Sequence, residues 1–271
     1  MDHKITKVVI ITGASSGIGQ ACAKEFSDYG FQVVIASRNF DKLKEIEHTL
    51  NISNPNILSV RTDVSIESDC LNLIERTIER FGRIDILICN AGISMRALFK
   101  EVDIDVLKTL MNTNLWGTIH CIKYALPYIL THHGSIVGLS SIAGFMGLPG
   151  RSGYAASKFA IHGFLESLRI EHRKEKLHVM IVAPWFTASD IRKNALGADG
   201  SKQNKSPRNE ENMVPADAVA RTIRIGVLQR KRLIIHTKKG KIAVLLKRIA
   251  PKLVELLNYD EMRREVNSPL I

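Results

Sequence analysis

Three side chains in one short stretch have the types and spacing for acid–base chemistry on an oxygen atom. Tyr154 and Lys158 are four residues apart, so on a helix both side chains lie on one face. An ammonium group beside a phenol stabilises the phenolate, which predicts a pKa below the usual value of about 10 for Tyr154. The Ser141 hydroxyl could hydrogen-bond the same reacting oxygen. The alternative is a chance pair of residues on a helix surface.

The elements that must position these side chains follow one another in the chain. An apolar run, Ile136–Leu139, is predicted as the end of a strand, and Ser140 and Ser141 come directly after it. A loop rich in glycine and proline then leads into the helix that carries Tyr154. The strand end therefore brings a serine hydroxyl toward the start of that helix.

A second candidate site lies near the beginning of the chain. Lys7–Thr12 is predicted as a short buried strand, and Gly13, Gly17 and Gly19 follow it before a helical pattern that reaches Tyr29. Glycines between a strand and a helix let the backbone approach a pyrophosphate, which the helix N-terminus attracts. The spacing differs from the standard dinucleotide fingerprint G-x-G-x-x-G. The stretch predicts a phosphate cradle, with close packing of strand and helix as the alternative.

The residue after the second strand indicates which dinucleotide would bind. Gln32–Ser37 is predicted as an apolar strand, and Arg38 follows where an acid would accept hydrogen bonds from a ribose 2′-hydroxyl. An arginine at this position pairs instead with a 2′-phosphate. The sequence therefore favours NADP(H) over NAD(H), and the alternative is that Arg38 is a solvated loop charge.

Strand and helix patterns alternate along the chain. The further predicted strands are Ile57–Thr62, Ile84–Cys89, Gly134–Leu139, Leu177–Ala183 and Leu233–His236, and the further predicted helices are Asp41–Leu50, Ile66–Phe81, Asp105–Met111, Asn114–His132 and Pro215–Gln229. Such alternation is typical of a parallel sheet covered by helices on both faces. We expect the α/β class, as a single doubly wound Rossmann-type domain with a seven-stranded parallel sheet. Ligands bind beyond the carboxyl ends of such strands, where Gly13, Arg38, Asp63 and Asn90 fall.

Two later features suggest local roles. Asn114 interrupts a run of helix-forming residues, where a polar side chain often has a specific partner, capping being the alternative. Residues 188–214 are polar, with one helical possibility near Asp190–Ala195. A loop of this length inside a compact domain is usually functional or disordered. Because it leaves the same sheet edge as the candidate site, it is interpreted as a substrate lid.

Length and composition exclude several classes of protein. A chain of 271 residues with ordinary apolar and charged content is large enough to bury a sizeable core. No run approaches the ~18 apolar residues of a membrane span, and no apolar leader follows Met1, which predicts a cytosolic protein. Cys22, Cys70, Cys89 and Cys121 lack C-x-x-C spacing, which favours reduced, packed thiols over a metal site or disulfides.

The net charge of +11 is concentrated toward the C-terminus, since residues 218–254 contain no Asp or Glu. Ile242, Leu245, Leu246 and Ile249 repeat at helical spacing, with lysines and an arginine off that face. The apolar stripe is expected to pack on the domain or on a second subunit. The alternative is contact with an anionic membrane surface. Nucleic-acid binding is poorly supported, because the basic stretch has almost no aromatic residues to stack on bases.

Taken together, these residues resemble the classical short-chain dehydrogenase/reductase family from about Val8 to His236. The motifs that occur in the family's order and spacing are Thr12-Gly13-x-x-x-Gly17-x-Gly19, Asn90-Ala91-Gly92, Asn114, Ser141 and Tyr154-x-x-x-Lys158. The resemblance implies that the tyrosine protonates a carbonyl oxygen as hydride arrives from a nicotinamide, and that the lysine lowers its pKa and binds the nicotinamide ribose. It also implies that the serine orients the substrate oxygen and that the asparagine holds a water that relays protons to the lysine.

The resemblance implies a full set of site residues. The catalytic residues are Asn114, Ser141, Tyr154 and Lys158, with Ser141 preferred to Ser140 because thirteen residues before Tyr154 fits the family. The cofactor-binding residues are Gly13, Ser15, Gly17, Ile18, Gly19, Ser37, Arg38, Asp63, Val64, Asn90, Ala91, Gly92, Tyr154, Lys158, Pro184 and Thr187. No metal is expected. The family is mostly dimeric or tetrameric, which implies a homo-oligomer.

One position departs from the family. The usual Pro-Gly after the sixth strand is Pro184-Trp185 here, and tryptophan cannot reproduce a glycine that needs positive φ. Trp185 therefore either has an ordinary φ or forms a wall of the substrate pocket. The apolar residues expected to flank the site are Phe145, Met146, Leu148, Trp185 and Phe186, which favours a fatty-acyl, lipid or sterol-like ketone.

The sequence thus predicts an NADP(H)-dependent oxidoreductase that reduces a carbonyl to a secondary alcohol, or catalyses the reverse, on an apolar small molecule. Residues 1–236 would form the catalytic domain, and residues 237–271 an amphipathic basic extension packed on it. The alternative is a non-catalytic NADP(H)-binding redox sensor or scaffold. The predicted location is cytoplasmic, and the alternative is a cytoplasmic protein in peripheral contact with the inner face of a membrane.

Overall fold

The computed structural model describes residues 6–52, 56–210 and 213–270. The strands β1 to β7, in chain order, are Val8–Thr12, Gln32–Ser37, Ile57–Arg61, Ile86–Cys89, Ser135–Leu139, His178–Ala183 and Leu233–Ile235. They form one seven-stranded parallel sheet in the order β3-β2-β1-β4-β5-β6-β7. The strand order reverses beside β1, as in a doubly wound sheet, so the predicted fold class is confirmed.

Helices cover both faces of this sheet. The α-helices α1 to α9, in chain order, are Gly17–Asp28, Phe40–Asn51, Glu67–Phe81, Ile104–Met111, Gly117–Thr131, Ser152–Glu171, Ala216–Leu228, Lys238–Ile249 and Pro251–Arg263. One face packs against α1, α2 and α7, and the other against α3, α5 and α6. Along β1, Val9 and Ile11 point to the first face while Val8 and Ile10 point to the second. Both faces are buried, which is why the strands read as continuous apolar runs.

The helix expected over Asn114–His132 differs from the prediction at its start. A single π-helical turn, Asn112–Trp116, joins α4 to α5. Gly117 follows it against Val64, where a Cβ would overlap the valine side chain. Apolar periodicity does not separate an i→i+5 turn from an ordinary helical turn, so the sequence could not indicate this feature.

The segment expected to be a lid is attached to the rest of the fold. Its Leu196 exchanges backbone hydrogen bonds with the β4–α4 connection, donating to Ser94 O at 2.9 Å and accepting from Arg96 N at 2.8 Å. The helix considered for Asp190–Ala195 is wrong, since this stretch forms turns. It is too short and polar to bury a helical face. Residues 211 and 212 of the segment lie outside the described residues.

The C-terminal helices place their apolar residues on two sides. Val244, Leu246 and Val254 pack in a cluster with Ile142 and Met146, next to the end of β5. Three residues of the predicted stripe are instead exposed, namely Ile242, Leu245 and Ile249. Only part of the predicted stripe therefore packs on the domain, through Leu246, and packing of its exposed residues on a second subunit stays a prediction. None of the described helices is both long and apolar enough to span a bilayer.

Candidate active site

A cavity of about 180 Å³ lies beyond the carboxyl ends of β4, β5 and β6. Tyr154, Lys158 and Ser141 all line it, so the three side chains singled out by their chemistry meet in one place. Tyr154 is in the first turn of α6 and Ser141 is in the loop after β5. The sheet thus sets the serine, and the packed helix sets the tyrosine and the lysine.

Lys158 is held by its surroundings. It is buried, its Nζ donates a hydrogen bond to Leu139 O at 2.7 Å, and it lies 5.7 Å from the centre of the Tyr154 ring. Burial lowers the pKa of the Lys158 ammonium group to about 8. The lysine is therefore positively charged beside the phenol at neutral pH. Its pKa is only slightly above neutral pH, so a small rise in pH would remove this charge.

The pKa of Tyr154 differs in direction from the sequence-based expectation. Burial raises it above the ordinary tyrosine value, and this exceeds the lowering caused by the Ser141 hydroxyl and by the positive charges of Arg151 and Arg192. The predicted lowering of the Tyr154 pKa by Lys158 is therefore wrong for the protein without ligand. Desolvation of the phenolate is the larger effect, and it raises the pKa. The phenol is protonated at neutral pH and can act as a proton donor.

The two adjacent serines have different partners. The Ser140 hydroxyl lies 2.7 Å from His162 Nε2. The Ser141 hydroxyl accepts from Ala143 N at 3.2 Å and, through a hydrogen bond, lowers the pKa of Tyr154. A hydroxyl that accepts a hydrogen bond still has its own proton to donate. The geometry therefore supports the choice of Ser141.

Asn114 is fully buried in the π-helical turn. Its Oδ1 accepts from Ile93 N at 2.8 Å, and its Nδ2 donates to Ile93 O at 3.0 Å and to Ser157 Oγ at 2.9 Å. A Cβ on Gly92 would lie 3.1 Å from Asn114 Oδ1 and 3.5 Å from Lys158 Nζ. The asparagine thus fixes the loop after β4 beside the lysine, and its partner is specific, as its position predicted.

A groove of about 490 Å³ runs from this cavity across the ends of β1, β2 and β3. It collects most of the residues predicted for cofactor binding: Gly13, Ser15, Gly17, Ile18, Ser37, Arg38, Asp63, Val64, Asn90, Ala91 and Gly92. Gly13 and Gly17 have φ of +64° and +54°, which glycine adopts without strain. A Cβ on Gly13 would also lie 2.8 Å from Ala91 Cα. The open glycine turn before α1 fits a dinucleotide pyrophosphate.

The other predicted cofactor residues lie elsewhere. Tyr154, Lys158, Pro184 and Thr187 line the cavity and not the groove. The remaining residue, Gly19, lines neither of them, and its Cα is packed on Gly13 O and on the Asn90 side chain, so that a Cβ would overlap the carbonyl. Gly19 therefore serves close packing of α1, which was the alternative for the glycine stretch.

Asn90 joins the glycine turn to β4. Its Nδ2 donates to Thr12 O at 2.9 Å and to Gly13 O at 3.1 Å, and the Thr12 hydroxyl accepts from Asn90 N at 3.0 Å. These bonds hold the groove and the cavity in a fixed relation. Ile18, Asn90 and Gly92 line both of them.

The walls of the cavity only partly match the expected set. Leu148, Trp185 and Phe186 line it, but Phe145 and Met146 do not. Phe145 packs edge-on against His162 with ring centres 4.6 Å apart, and Met146 is buried beneath α9 with Val254. Trp185 is not among the described residues with positive φ and does face the cavity. Trp185 therefore has an ordinary φ and also forms part of the cavity wall, so the two interpretations of the departure from Pro-Gly are compatible.

Several lining residues were not found from the sequence. Arg151 and Arg192 line the cavity from the start of α6 and from the segment after β6, and Asn258, Glu261 and Met262 line it from α9. Ile191 lines both the cavity and the groove. These positions carry no local motif. The packing of α9 near the end of β5 brings in Asn258, Glu261 and Met262.

None of the four cysteines lines the cavity or the groove. All four cysteines are buried and form no disulfide. Within the part of the chain that the structure describes, no group of three or more His, Cys, Asp or Glu residues is arranged to hold a metal ion.

Comparison with known proteins agrees with this arrangement. The family model for short chain dehydrogenase matches residues 7–199. The chain is 34% identical over 260 residues to a dehydrogenase/reductase SDR family protein 7-like protein of Dictyostelium discoideum, covering 93% of this chain and 81% of that one. It is 34% identical over 257 residues to 11-beta-hydroxysteroid dehydrogenase 1A of Arabidopsis thaliana, covering 92% and 73%.

A solved structure shows the same fold. The short-chain dehydrogenase/reductase from Burkholderia phymatum, in complex with NAD, superposes with a TM-score of 0.82 at 24% identity, covering 93% of this chain and 96% of that one. Together with the family model and the relatives, the glycine turn, the Asn90 loop and the Tyr154–Lys158 helix place the protein: it belongs to the short-chain dehydrogenase family.

Proposed function

We propose that the protein is an NADP(H)-dependent oxidoreductase that interconverts a carbonyl and a secondary alcohol on an apolar, lipid-like small molecule. The observation that carries the proposal is the meeting of Tyr154, Ser141 and Lys158 in one cavity that opens onto the glycine-rich groove. The apolar wall of Leu148, Trp185 and Phe186 favours an apolar substrate. The relatives named for hydroxysteroid dehydrogenase activity support this class.

The groove residues Gly13, Gly17 and Arg38 would hold the dinucleotide, whose nicotinamide would supply hydride to the carbonyl carbon in the direction of reduction. Tyr154 donates its phenol proton to the carbonyl oxygen, and the Ser141 hydroxyl hydrogen-bonds the same oxygen. The ammonium group of Lys158, held by Leu139 O, stabilises the phenolate that remains. Asn114 keeps the loop beside Lys158 in place through Ile93. In oxidation, the phenolate would remove the alcohol proton while the hydride on the alcohol carbon is accepted by the oxidised nicotinamide.

The alternative, an NADP(H)-binding redox sensor, would need the groove but not the proton donors. The proton-donor cavity is complete here, with the phenol, the serine and the buried lysine together, which favours an enzyme. NADPH consumption against apolar ketones, aldehydes and 3-oxoacyl thioesters tests the proposal. Turnover of at least one class supports it, whereas NADPH binding without turnover of any class favours the sensor.

The NADP(H) preference rests on Arg38. This residue lines the groove at the end of β2, its side chain is 67% exposed, and its Nη1 lies 3.9 Å from Asp63 Oδ2. Its neighbours Ser37 and Asn39 also line the groove, and neither is an acid that could select a 2′-hydroxyl. An exposed guanidinium so weakly paired is available to a 2′-phosphate.

Replacing Arg38 with glutamine is expected to reduce the ratio of kcat/KM for NADPH over NADH about 10- to 100-fold, the value of a charge-assisted hydrogen bond. The measurement is steady-state kinetics with both nucleotides. Arg61→Gln is the control, because Arg61 pairs in register with Ser37, is exposed and does not line the groove. A wild-type protein that uses NADH as well as NADPH would contradict the preference.

We also propose that α8 and α9 contact an anionic membrane surface. Exposed apolar residues lie on both helices, Ile242, Leu245 and Ile249 on α8 and Leu253 and Leu256 on α9. Exposed basic residues accompany them, namely Lys238, Lys239, Lys241, Arg248 and Lys252. Apolar side chains next to an acid-free basic stretch complement a bilayer with anionic headgroups.

Vesicle sedimentation tests this contact. The triple variant Ile242→Ser/Leu245→Ser/Ile249→Ser is expected to bind phosphatidylserine-containing vesicles about tenfold or more weakly, because each large apolar side chain removed from water contributes about 1.5–3 kcal/mol when fully buried. Ile52→Ser/Ile170→Ser is the control, since both residues are exposed on other elements. Equal binding by both variants, or no preference for anionic over phosphatidylcholine vesicles, would refute the contact.

A further inference from the structure

A group of arginines lies at one end of the catalytic cavity, outside the predicted catalytic set. Arg151 and Arg192 line the cavity, and each is about nine-tenths buried. Arg96 and Arg208 are close behind them. Arginine is rarely buried to this extent unless its charge is paired, so each partner has to be identified.

Three of these arginines share one carboxylate. Glu265 accepts from Arg151 Nη2 at 3.0 and 3.1 Å, from Arg208 Nε at 2.7 Å and from Arg96 Nε at 3.2 Å. Arg208 also pairs with Glu261 at 2.6 Å, and Arg192 pairs with Glu210 at 3.2 Å. Across the described residues, four guanidinium groups therefore share three carboxylates. The buried Lys158 adds a further positive charge whose hydrogen bond goes to a backbone carbonyl.

Arg192 and Arg208 each have a buried nitrogen without a partner in the described chain, and of the two only Arg192 lines the cavity. Its Nη2 donates to Thr187 O at 2.7 Å and to Glu210, but its Nε is buried and has no hydrogen-bond partner in the described chain. A buried N–H group of a charged side chain is costly to leave unpaired. Burial, together with the charges of Arg208 and Arg151, also lowers the pKa of Arg192, although Glu210 acts against it. The Nε is closed off by its burial, so a negatively charged acceptor in the cavity would contact another atom of the Arg192 guanidinium and would offset the charges of Arg208 and Arg151.

Most of the remaining wall is apolar, and the polar residues of the wall outside the catalytic set include Ser94, Thr187, Asn258 and Glu261. Ile142, Leu148, Trp185, Phe186 and Met262 line the cavity together with the arginines. A ligand that satisfies both parts has an apolar body and a single anionic group. We propose that the substrate of this cavity is an apolar oxo or hydroxy carboxylic acid whose carboxylate is bound by Arg192. This inference rests on the proposed function and narrows its substrate class.

Arg151 has a different role from Arg192. Its Nη2 donates to both oxygens of Glu265 and its Nη1 to Met262 Sδ, so its guanidinium is engaged with the protein, and it lies three residues before Tyr154 at the start of α6. It is therefore a positioning residue for that end of the cavity. Arg192 is the group left to contact the carboxylate.

The test compares a medium-chain oxocarboxylic acid with its methyl ester, the keto group being placed at successive positions. Wild type is expected to favour the acid over the ester about 10- to 100-fold in kcat/KM, mostly through KM. In Arg192→Gln this preference should disappear, while Arg192→Lys should keep part of it. Lys193→Gln is the matched control, because it removes the same charge from the adjacent residue, whose exposed side chain pairs with Asp190 at 3.6 Å.

The outcomes separate this inference from the proposed function. Turnover of the ester as fast as the acid by wild type overturns the carboxylate subsite and leaves the oxidoreductase intact. Without turnover of any ketone, the proposed function fails, and the subsite is decided by titrating acid and ester against the protein through the fluorescence of Trp185 in the cavity wall. Tighter binding of the acid then supports the subsite, and equal or absent binding refutes it. The comparison of acid and ester in the wild-type protein tests the carboxylate subsite even if an Arg192 variant does not fold.

Discussion

Replacing Tyr154 with phenylalanine is expected to lower the rate of carbonyl reduction about 10²- to 10⁴-fold, the usual contribution of a positioned general acid. Phenylalanine keeps the ring, which packs in a buried cluster with Leu110, Ala143 and Met95, and removes only the hydroxyl that can protonate the substrate oxygen. The loss should therefore fall on kcat, with the fold and the binding of NADPH retained.

The measurement is single-turnover reduction with saturating NADPH, together with NADPH titration and thermal unfolding of the same variant. Tyr124→Phe is the matched control, because it removes an identical hydroxyl that donates to Glu67 Oε1 at 2.6 Å outside the cavity. Tyr124→Phe should retain wild-type turnover. A Tyr154→Phe variant that keeps more than about a tenth of the wild-type rate would show that another group is the proton donor.

The raised pKa of the Tyr154 phenol means that the group removed in Tyr154→Phe is a protonated hydroxyl. Burial keeps the phenol protonated in the protein alone, whereas the sequence suggested a phenolate favoured by Lys158. The Tyr154 ring and the Lys158 ammonium group are close, but Lys158 Nζ donates a hydrogen bond to Leu139 O. Its charge is therefore suited to stabilising the phenolate once the proton has moved, and not to removing the proton beforehand.

The sheet and the dinucleotide groove were predictable because their signals are local. The strands are mostly apolar runs, and several predicted groove residues lie just after a strand, as Gly13, Arg38 and Asp63 do. Parallel strands place their carboxyl ends at one edge, so the position in sequence fixes the position in space. Gly19 shows the limit of this argument, since a motif glycine can serve packing alone.

The substrate end of the cavity could not be predicted in the same way. Glu265 meets Arg151 and Arg96 across 114 and 169 residues of chain. No spacing rule connects such positions. Phe145 and Met146 were misplaced for a related reason: the turn after Ser141 directs them to His162 and to α9, and loop residues have no periodicity that would show it.

Replacing Glu265 with glutamine should destabilise the fold by about 3–5 kcal/mol, as expected when one member of a buried ion cluster is neutralised. Glu265 is only 6% exposed, and its loss leaves Arg96, Arg151 and Arg208 without their shared counter-charge. For a chain of this size the change corresponds to a fall in melting temperature of roughly 10 °C. Thermal and urea unfolding measure it.

Glu261→Gln is the control for this effect. Glu261 pairs with the same Arg208 at 2.6 Å, but its side chain is 52% exposed, so the pair is screened by water and its loss should cost at most about 1 kcal/mol. Equal destabilisation by the two substitutions would mean that burial of the cluster does not set its strength.

The effect of Glu265→Gln should also depend on pH, in a direction fixed by the arginines. Burial alone would raise the pKa of the Glu265 carboxyl, but the charges of Arg151 and Arg208 outweigh it, so the pKa is lowered in the folded protein. A group with a lowered folded pKa stabilises fully above its unfolded pKa, about 4.3 for glutamate, and loses this contribution as the pH falls through the folded value. The difference in stability between wild type and Glu265→Gln should therefore be constant near neutral pH and shrink below about pH 4. A difference that grows in acid would mean that Glu265 is protonated in the native cluster, and the arginines would then have to be paired by other groups.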